Sequence, residues 1–391
     1  MSSPEHPFRI SQLPPGHHPA LILEGDDYMR GRTYGRVFAD QISRNVARHE
    51  GHPSLPPLEI CYALVEMVYQ HGLRRHWPRG WRELEGMSHG SGMSMHSLIL
   101  LNVRDDLVAI RDILEAYAPP YGAPSGPKPI SETTSAFFSR RATVDGVPVL
   151  AQARYSERQV LDEDLLVYLE IRYPPAQRIP SIFMVTDAGM LSGSGMNSDG
   201  VAVTANSLFS SEDYIPVYGT NVFFPVTCLE RCFLECSSFE AIRMMCGRGD
   251  FHASRNVHLV TDTGSSISLE ISPQRVFRQV DVYTGESMLH ANHYQSFEAF
   301  CARRAFRDRY QGRASSERLG RLKNRIGQPP RQWLLEQIAI VLLDEEDYST
   351  VALVMFDTTR RVISVRRGAA LVHFGMEDRG MRSGPSLGIR N

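Results

Sequence analysis

The run Ser131-Glu132-Thr133-Thr134-Ser135-Ala136-Phe137-Phe138 constrains this chain more tightly than any bulk property does. Small hydroxyl residues lead into an apolar, aromatic stretch of the kind that fits a pleated, half-buried strand. Downstream, Val144-Asp145-Gly146-Val147 supplies a hairpin turn, and Val147 to Ala151 reads as the returning strand. Upstream, the proline- and glycine-rich stretch from Pro119 to Pro129 reads as a flexible joint. The segment therefore offers a hydroxyl group at the mouth of a hairpin, beside a break in regular structure.

The rest of the chain can bury such a hairpin. It has 391 residues, 42% of them hydrophobic, and a formal net charge of −2. No long run of one sign points to nucleic acid or to an anionic membrane surface. No stretch reaches the ~18 apolar residues of a membrane span, and the first residues do not form a signal peptide. Cys228, Cys232 and Cys236 recur at spacing four, which puts them on one helix face as a small buried stripe. Paired cysteines or histidines at metal-ligand spacing are missing, so no metal is expected. A soluble protein of the cytoplasm, with reduced thiols, is the expectation.

Texture divides the chain. After the strand Ala20–Gly25, helical periodicity runs from Tyr28 to His49, with Gly31 and Gly35 at spacing four for close helix packing. Residues 57–76 read as a second amphipathic helix, and 81–116 as two more. From Thr133 onward strand pairs dominate: Ala136–Thr143 with Val147–Ala153, Ile182–Thr186 with Gly200–Ala205, Val257–Thr261 with Ser266–Ile271, and Val351–Phe356 with Val362–Arg366. Helical stretches fall at roughly 225–247, 296–310 and 330–342. Antiparallel strand pairs separated by helices predict an α+β fold of two stacked sheets covered by helices.

Further segments carry a resemblance. They are Gly25-Asp26-Asp27-Tyr28-Met29-Arg30-Gly31; Trp81 to Met87; Leu100-Leu101-Asn102-Val103-Arg104; Ala188-Gly189-Met190 with Gly195-Met196-Asn197-Ser198-Asp199-Gly200-Val201; and His290-Ala291-Asn292-His293. In this order the chain resembles the acyl-coenzyme A:6-aminopenicillanic-acid acyltransferase (isopenicillin N acyltransferase) family, over about residues 20 to 370. The resemblance implies a four-layer αββα sandwich of the N-terminal nucleophile (Ntn) hydrolase type. It also implies self-cleavage before the nucleophile. Residues 1–132 would then be a helical α subunit or propeptide and 133–391 the catalytic β subunit, both packed as one globular unit.

The family's nucleophile is a cysteine in a G-C-(T/S)-(S/T) string. Here that string is Glu132-Thr133-Thr134-Ser135, so Thr133 takes the nucleophile's place and Glu132 that of the glycine. A hydroxyl needs a base in contact, and the α-amine of a new N-terminus, with pKa near ~8, would supply it. The resemblance assigns Asn292 as oxyanion donor, and Asn206 is a second candidate for substrate or oxyanion contact. The family's G-(R/Q)-N-x-D is matched by Ala151-Gln152-Ala153-Arg154-Tyr155, which places Gln152 and Tyr155 as site-ordering residues and Tyr155 at the aspartate. Arg154 would point to the opposite face of the strand from Tyr155. A family arginine is matched by Asp347. His290 and His293 read as residues that order the loop around Asn292, and the acidic run Asp344 to Asp347 as solvated.

Two readings follow. In one, the chain is an acyltransferase or an amide or ester hydrolase acting on a specialised-metabolite acyl intermediate, polyketide or peptide-like, through an acyl-enzyme on Thr133. No cofactor is expected, although acyl-coenzyme A fits as a co-substrate, and the partners are a small acyl substrate and the chain's own cleaved fragment. In the other, the chain stays uncut and, catalytically altered or inactive, acts by binding. The ending Gly388-Ile389-Arg390-Asn391 is not a peroxisomal tripeptide, which again favours the cytosol.

Overall fold

Alternation along the strands decides the architecture. In the computed structural model, which describes residues 17–117, 130–156, 159–216, 223–236, 251–279, 287–303, 305–310, 313–327, 332–343 and 350–376, two sheets stack face to face. The larger sheet holds β1 (Leu21–Leu23), β4 (Leu166–Ile171), β5 (Ile182–Asp187), β6 (Ser194–Asn197), β7 (Ala202–Leu208), β8 (Ser254–Val260), β9 (Ser266–Ile271) and β10 (Val276–Gln279), side by side in that order. The smaller is ordered β11 (Ser287–His290), β2 (Glu132–Phe138), β3 (Val149–Tyr155), β12 (Thr350–Asp357), β13 (Val362–Arg367) and β14 (Ala370–Gly375). Pairing is antiparallel throughout except β1 with β4.

Three apolar layers hold these sheets. Phe137, Leu150, Phe183, Val185, Val354 and Phe356 fill the space between them. The helices between residues 27 and 117 share one core with the outer face of the larger sheet, where Val203, Ala205, Val257 and Leu259 point. The helices Arg313–Ile326 and Leu335–Val341 cover the smaller sheet against Ala136, Phe138, Ala153 and Tyr155. The order is helix, sheet, sheet, helix: the α+β, αββα sandwich expected from the sequence. Period-2 alternation thus sends Thr133, Ser135 and Phe137 inward between the sheets and Thr134, Ala136 and Phe138 outward.

The helical third packs through glycine as expected. A Cβ on Gly31 would lie 1.8 Å from the Glu83 carbonyl oxygen, and one on Gly86 would lie 2.0 Å from that of Tyr28. The helices Asp27–Val37 and Pro78–Ser91 therefore touch backbone to backbone.

Several expectations are corrected. The stretch from Tyr28 to His49 is two helices, broken at Phe38. Residues 57–76 form a helix with a π-helical turn at Val65–Tyr69. The 81–116 region holds three helices: Pro78–Ser91, Met95–Asn102 and Arg104–Tyr117. Strand β5 does not pair with β7, because β6 lies between them. Gly193 and Gly195 allow that insertion, since a Cβ at either would lie within 2.6 Å of a β5 carbonyl oxygen. The helices expected at 296–310 and 330–342 shrink to Phe297–Cys301 and Leu335–Val341. In 225–247 a 3₁₀ turn, Val226–Cys228, leads into Leu229–Leu234, and residues 237–250 lie outside the described residues. Cys228 and Cys232 are buried as the stripe requires, and Cys236 sits just past the helix end, half-buried. The 118–129 joint, Cys246 and the acidic run Asp344 to Asp347 lie outside the described residues.

Gly31→Ala is expected to lower stability by about 1–3 kcal/mol, the ordinary cost of overpacking. Gly320→Ala, on the exposed face of a helix with nothing within 4 Å of its Cβ, should raise it by about 0.5–1 kcal/mol. Denaturant midpoints check both, and equal midpoints for the two variants would contradict the packing.

Candidate active site

Thr133 sits at the start of β2 with both polar atoms held by asparagines of other strands or loops. Its Oγ donates to Asn206 Oδ1 at 2.8 Å and has the Ala205 carbonyl oxygen as a second acceptor at 3.1 Å, both on β7 of the facing sheet. Its backbone N–H donates to Asn292 Oδ1 at 3.1 Å. The hydroxyl therefore points between the sheets, into a cavity also lined by Ser131, Gln152, Arg154 and Ser194.

Polar side chains bridge the sheets here. Gln152 Nε2 donates to the Ala205 carbonyl at 2.6 Å, and its Oε1 accepts from Ser194 Oγ. Asn206 Nδ2 donates to Asn256 Oδ1 at 2.7 Å, and Asn256 in turn donates to Ser268 Oγ at 2.8 Å. With Asn206 so fixed, its carbonyl oxygen faces Thr133 Oγ and its N–H2 faces away. Asn206 therefore orients the hydroxyl.

Asn292 is oriented as firmly. Its Oδ1 also accepts from Arg318 Nη2 at 3.0 Å, and its Nδ2 donates to the Ser207 carbonyl at 3.2 Å. Swapping the amide would set its N–H2 against two donors, so the orientation is unambiguous. In this arrangement the carboxamide offers its oxygen to Thr133 N, and one of its N–H donors is taken by Ser207. The Asn292 backbone N–H donates to Ser315 Oγ at 2.8 Å, and that hydroxyl also meets His293 Nδ1 at 2.8 Å. His290 Nε2 lies 2.9 Å from Glu270 Oε1. Burial, reinforced by His290, holds His293 down to about 4, so it is neutral at pH 7. Both histidines thus order the loop, as the sequence suggests.

The register of β2 and β3 corrects the reading of the next pair. Thr133 is opposite Arg154 and Glu132 is opposite Tyr155. Facing residues share a side of the sheet, so Arg154 accompanies Thr133 into the cavity. Tyr155 lies on the helix-covered face, with its ring 4.5 Å from the Arg318 guanidinium carbon. Asp347 lies outside the described residues. A second arginine near Thr133, Arg318, comes from the helix Arg313–Ile326, and the sequence pattern revealed neither that helix nor its arginine. Ser315 and Arg318, at spacing i,i+3 in a run beginning Arg313-Ala314-Ser315, were the available signal.

Charged pairs wall the cavity. Asp187 receives Arg104 and Arg154, each at 2.9 Å. Burial alone would raise its carboxyl, but these guanidiniums outweigh burial and hold it well below the usual range. Arg255 is bidentate to Glu230 and reaches Asp105 at 2.5 Å. Three guanidiniums thus meet three carboxylates. Arg154 hydrogen-bonds among the described residues through Nη2 alone, which leaves further donors beside Thr133. Among the described residues no cluster of three metal-ligating side chains occurs, and no helix is long and apolar enough to cross a membrane.

Asp106 anchors the turn behind Thr227 and Glu230, accepting from the N–H groups of Val226 and Thr227 at 3.1 and 3.4 Å. Burial pushes its carboxyl up to about 7. A carboxyl raised on folding contributes stability that is present in full below about pH 4 and lost as pH rises through about 7. Asp106→Asn should flatten the fall in stability across that window. Thermal melts from pH 4 to 8 check this, and an unchanged slope would contradict it.

Residues 169–363 match the family model of acyl-coenzyme A:6-aminopenicillanic acid acyl-transferase. The 40 kDa form of acyl-coenzyme A:6-aminopenicillanic-acid-acyltransferase from Emericella nidulans is 28% identical over 229 residues, covering 56% of this chain and 53% of that protein. The chain thus spans about half the length of this curated relative. Among solved structures, a mutant conjugated bile acid hydrolase from Clostridium perfringens is 11% identical, with a TM-score of 0.42 over 63% of this chain and 92% of that one. Penicillin V acylase from Agrobacterium tumefaciens is 12% identical, with a TM-score of 0.36 over 62% and 86%. Thr133 precedes the segment matched by the family model, whereas Asn206, Asn292 and Arg318 fall within it. Through residues 169–363 the chain is thus similar to the acyl-coenzyme A:6-aminopenicillanic acid acyl-transferase family.

Proposed function

We propose that the chain is an Ntn-type acyltransferase or amide or ester hydrolase that carries its acyl group on Thr133. The observation behind this reading is the seating of Thr133: hydroxyl on Asn206, nitrogen on Asn292, both at the mouth of a polar cavity. In maturation, the Glu132 carbonyl carbon moves from Thr133 N to Oγ while the hydroxyl proton passes to the nitrogen. That shift frees the α-amine, and water then hydrolyses the ester, which releases the Thr133 hydroxyl and leaves a terminal carboxylate on Glu132. In turnover the amine takes the Oγ proton as Oγ attacks the acyl carbon, then returns it to the departing amine, alcohol or thiolate. The ester passes its acyl group to an amine, an alcohol or water. Arg154, with donors to spare beside Thr133, supplies N–H groups to the oxyanion, a role the family resemblance implies for Asn292. The charge-balanced cavity suits a polar, peptide-like or polyketide-derived acyl intermediate of specialised metabolism, with a coenzyme A thioester as one acyl donor. The cytoplasm is the expected setting.

One observation favours the binding-only reading. Glu132 continues the β2 ladder opposite Tyr155, and its carboxylate is held by Arg318 at 2.5 Å and by the Tyr310 hydroxyl. The bond to be cut is thus built into a paired strand.

An activated p-nitrophenyl acyl ester separates the readings. Peptide mass mapping after acid quench should find one acyl group on Thr133, and Thr133→Ala should lose the adduct and about 10³-fold or more of the acyl-transfer rate. An adduct elsewhere, or activity that survives in Thr133→Ala, would sink the proposal.

A further inference from the structure

Arg318 makes more contacts around the 132/133 bond than the reading above uses. It is 1% exposed, yet its guanidinium is spread over both sides of that bond. Nη1 holds Glu132, Nε donates to Thr134 Oγ at 3.0 Å, and Nη2 shares Asn292 Oδ1 with Thr133 N. Two atoms bonded to one oxygen, at 3.0 and 3.1 Å, lie within about 6 Å of each other, close enough for a fixed cation to shift an amine by a unit or more.

We infer that Arg318 is a positioning residue that keeps the Thr133 α-amine unprotonated at neutral pH. The inference rests on the proposed cleavage before Thr133, which turns that nitrogen into an amine. A guanidinium beside it disfavours the ammonium form, so the amine is a free base at a lower pH than an isolated N-terminus. Glu132 opposes the effect in part, through its side-chain carboxylate on the same guanidinium and through the terminal carboxylate that cleavage leaves on it. On the cavity side, Arg154 and Arg104 pair with Asp187, and Arg255 with Asp105 and Glu230, which leaves no uncancelled charge in that wall. Behind Asn292, Glu270 meets His290 Nε2 at 2.9 Å, and neutral His293 adds no charge. Beside Glu132, the Tyr310 phenol, pushed up by burial and then by Glu132, stays neutral. Arg318 is thus a cation that shares one acceptor, Asn292 Oδ1, with the nitrogen of Thr133.

The test is the pH profile of acylation of the full chain by the p-nitrophenyl ester, with the fraction of chain beginning at Thr133 recorded for every variant. Arg318→Gln should move the acid limb of the profile up by about one pH unit. Arg318→Lys should keep the limb near the wild-type position while lowering the rate. Glu132→Gln, at a partly exposed side chain, should move the limb down, and it remains informative if the Arg318 variants fail to fold. A cleaved wild type whose limb stays fixed in Glu132→Gln, and in Arg318→Gln where that folds, overturns this inference and leaves the acyl-enzyme reading standing. A wild type with no fragment beginning at Thr133 overturns both.

Discussion

The carboxamide oxygen of Asn292 is the point on which this site turns. It accepts from the backbone nitrogen of Thr133 and from Arg318, and so joins the start of β2 to the helix Arg313–Ile326 on the outer face of the smaller sheet. Asn292 can hold that place because its own backbone and N–H2 are tied to Ser315 and to Ser207. A buried amide with every polar atom used has one orientation, and it transmits that orientation to what it holds. Thr133 then has little freedom. Asn292 fixes its nitrogen, β3 fixes its register, and Asn206 fixes its hydroxyl.

Two sheets are needed for this arrangement. Thr133 and Arg154 belong to the smaller sheet, and Asn206 to the larger, with Gln152 bridging between them. Away from the site the same gap is filled by Phe137, Phe183, Val354 and Phe356. Inward-facing positions thus change from aromatic and aliphatic to polar along a few residues of each strand. The apolar part fixes the spacing of the sheets, and that spacing sets the short cross-sheet bonds of Thr133 and Gln152. The polar part is stable because its groups satisfy one another, as buried amides and hydroxyls must.

Much of the architecture was legible. Period-2 alternation identified the β2–β3, β8–β9 and β12–β13 pairs, and the glycines at spacing four marked the helix contact. Thr133, Gln152, Asn206 and Asn292 were all found from local motifs and do come together. What failed depended on register. A shift of one residue exchanges the faces of a strand, so matching Tyr155 to the family's aspartate put it in the cavity, where Arg154 stands instead. The helix carrying Arg318 was missed because its sequence, rich in arginine and serine, has a thin apolar stripe of Leu319, Leu322 and Ile326. The roles of Asn206 and Asn292 were unreadable because both depend on which end of an amide faces Thr133, and that is decided by donors distant in sequence.

The central claim is that Thr133 is built to become an N-terminus. The most direct measurement is the mass of the purified protein under denaturing conditions, with N-terminal sequencing of each fragment. The account predicts two chains, one of which begins at Thr133. A single uncut chain, or a cut elsewhere, would contradict it, and would leave the network around Thr133 as the scaffold of a binding cavity.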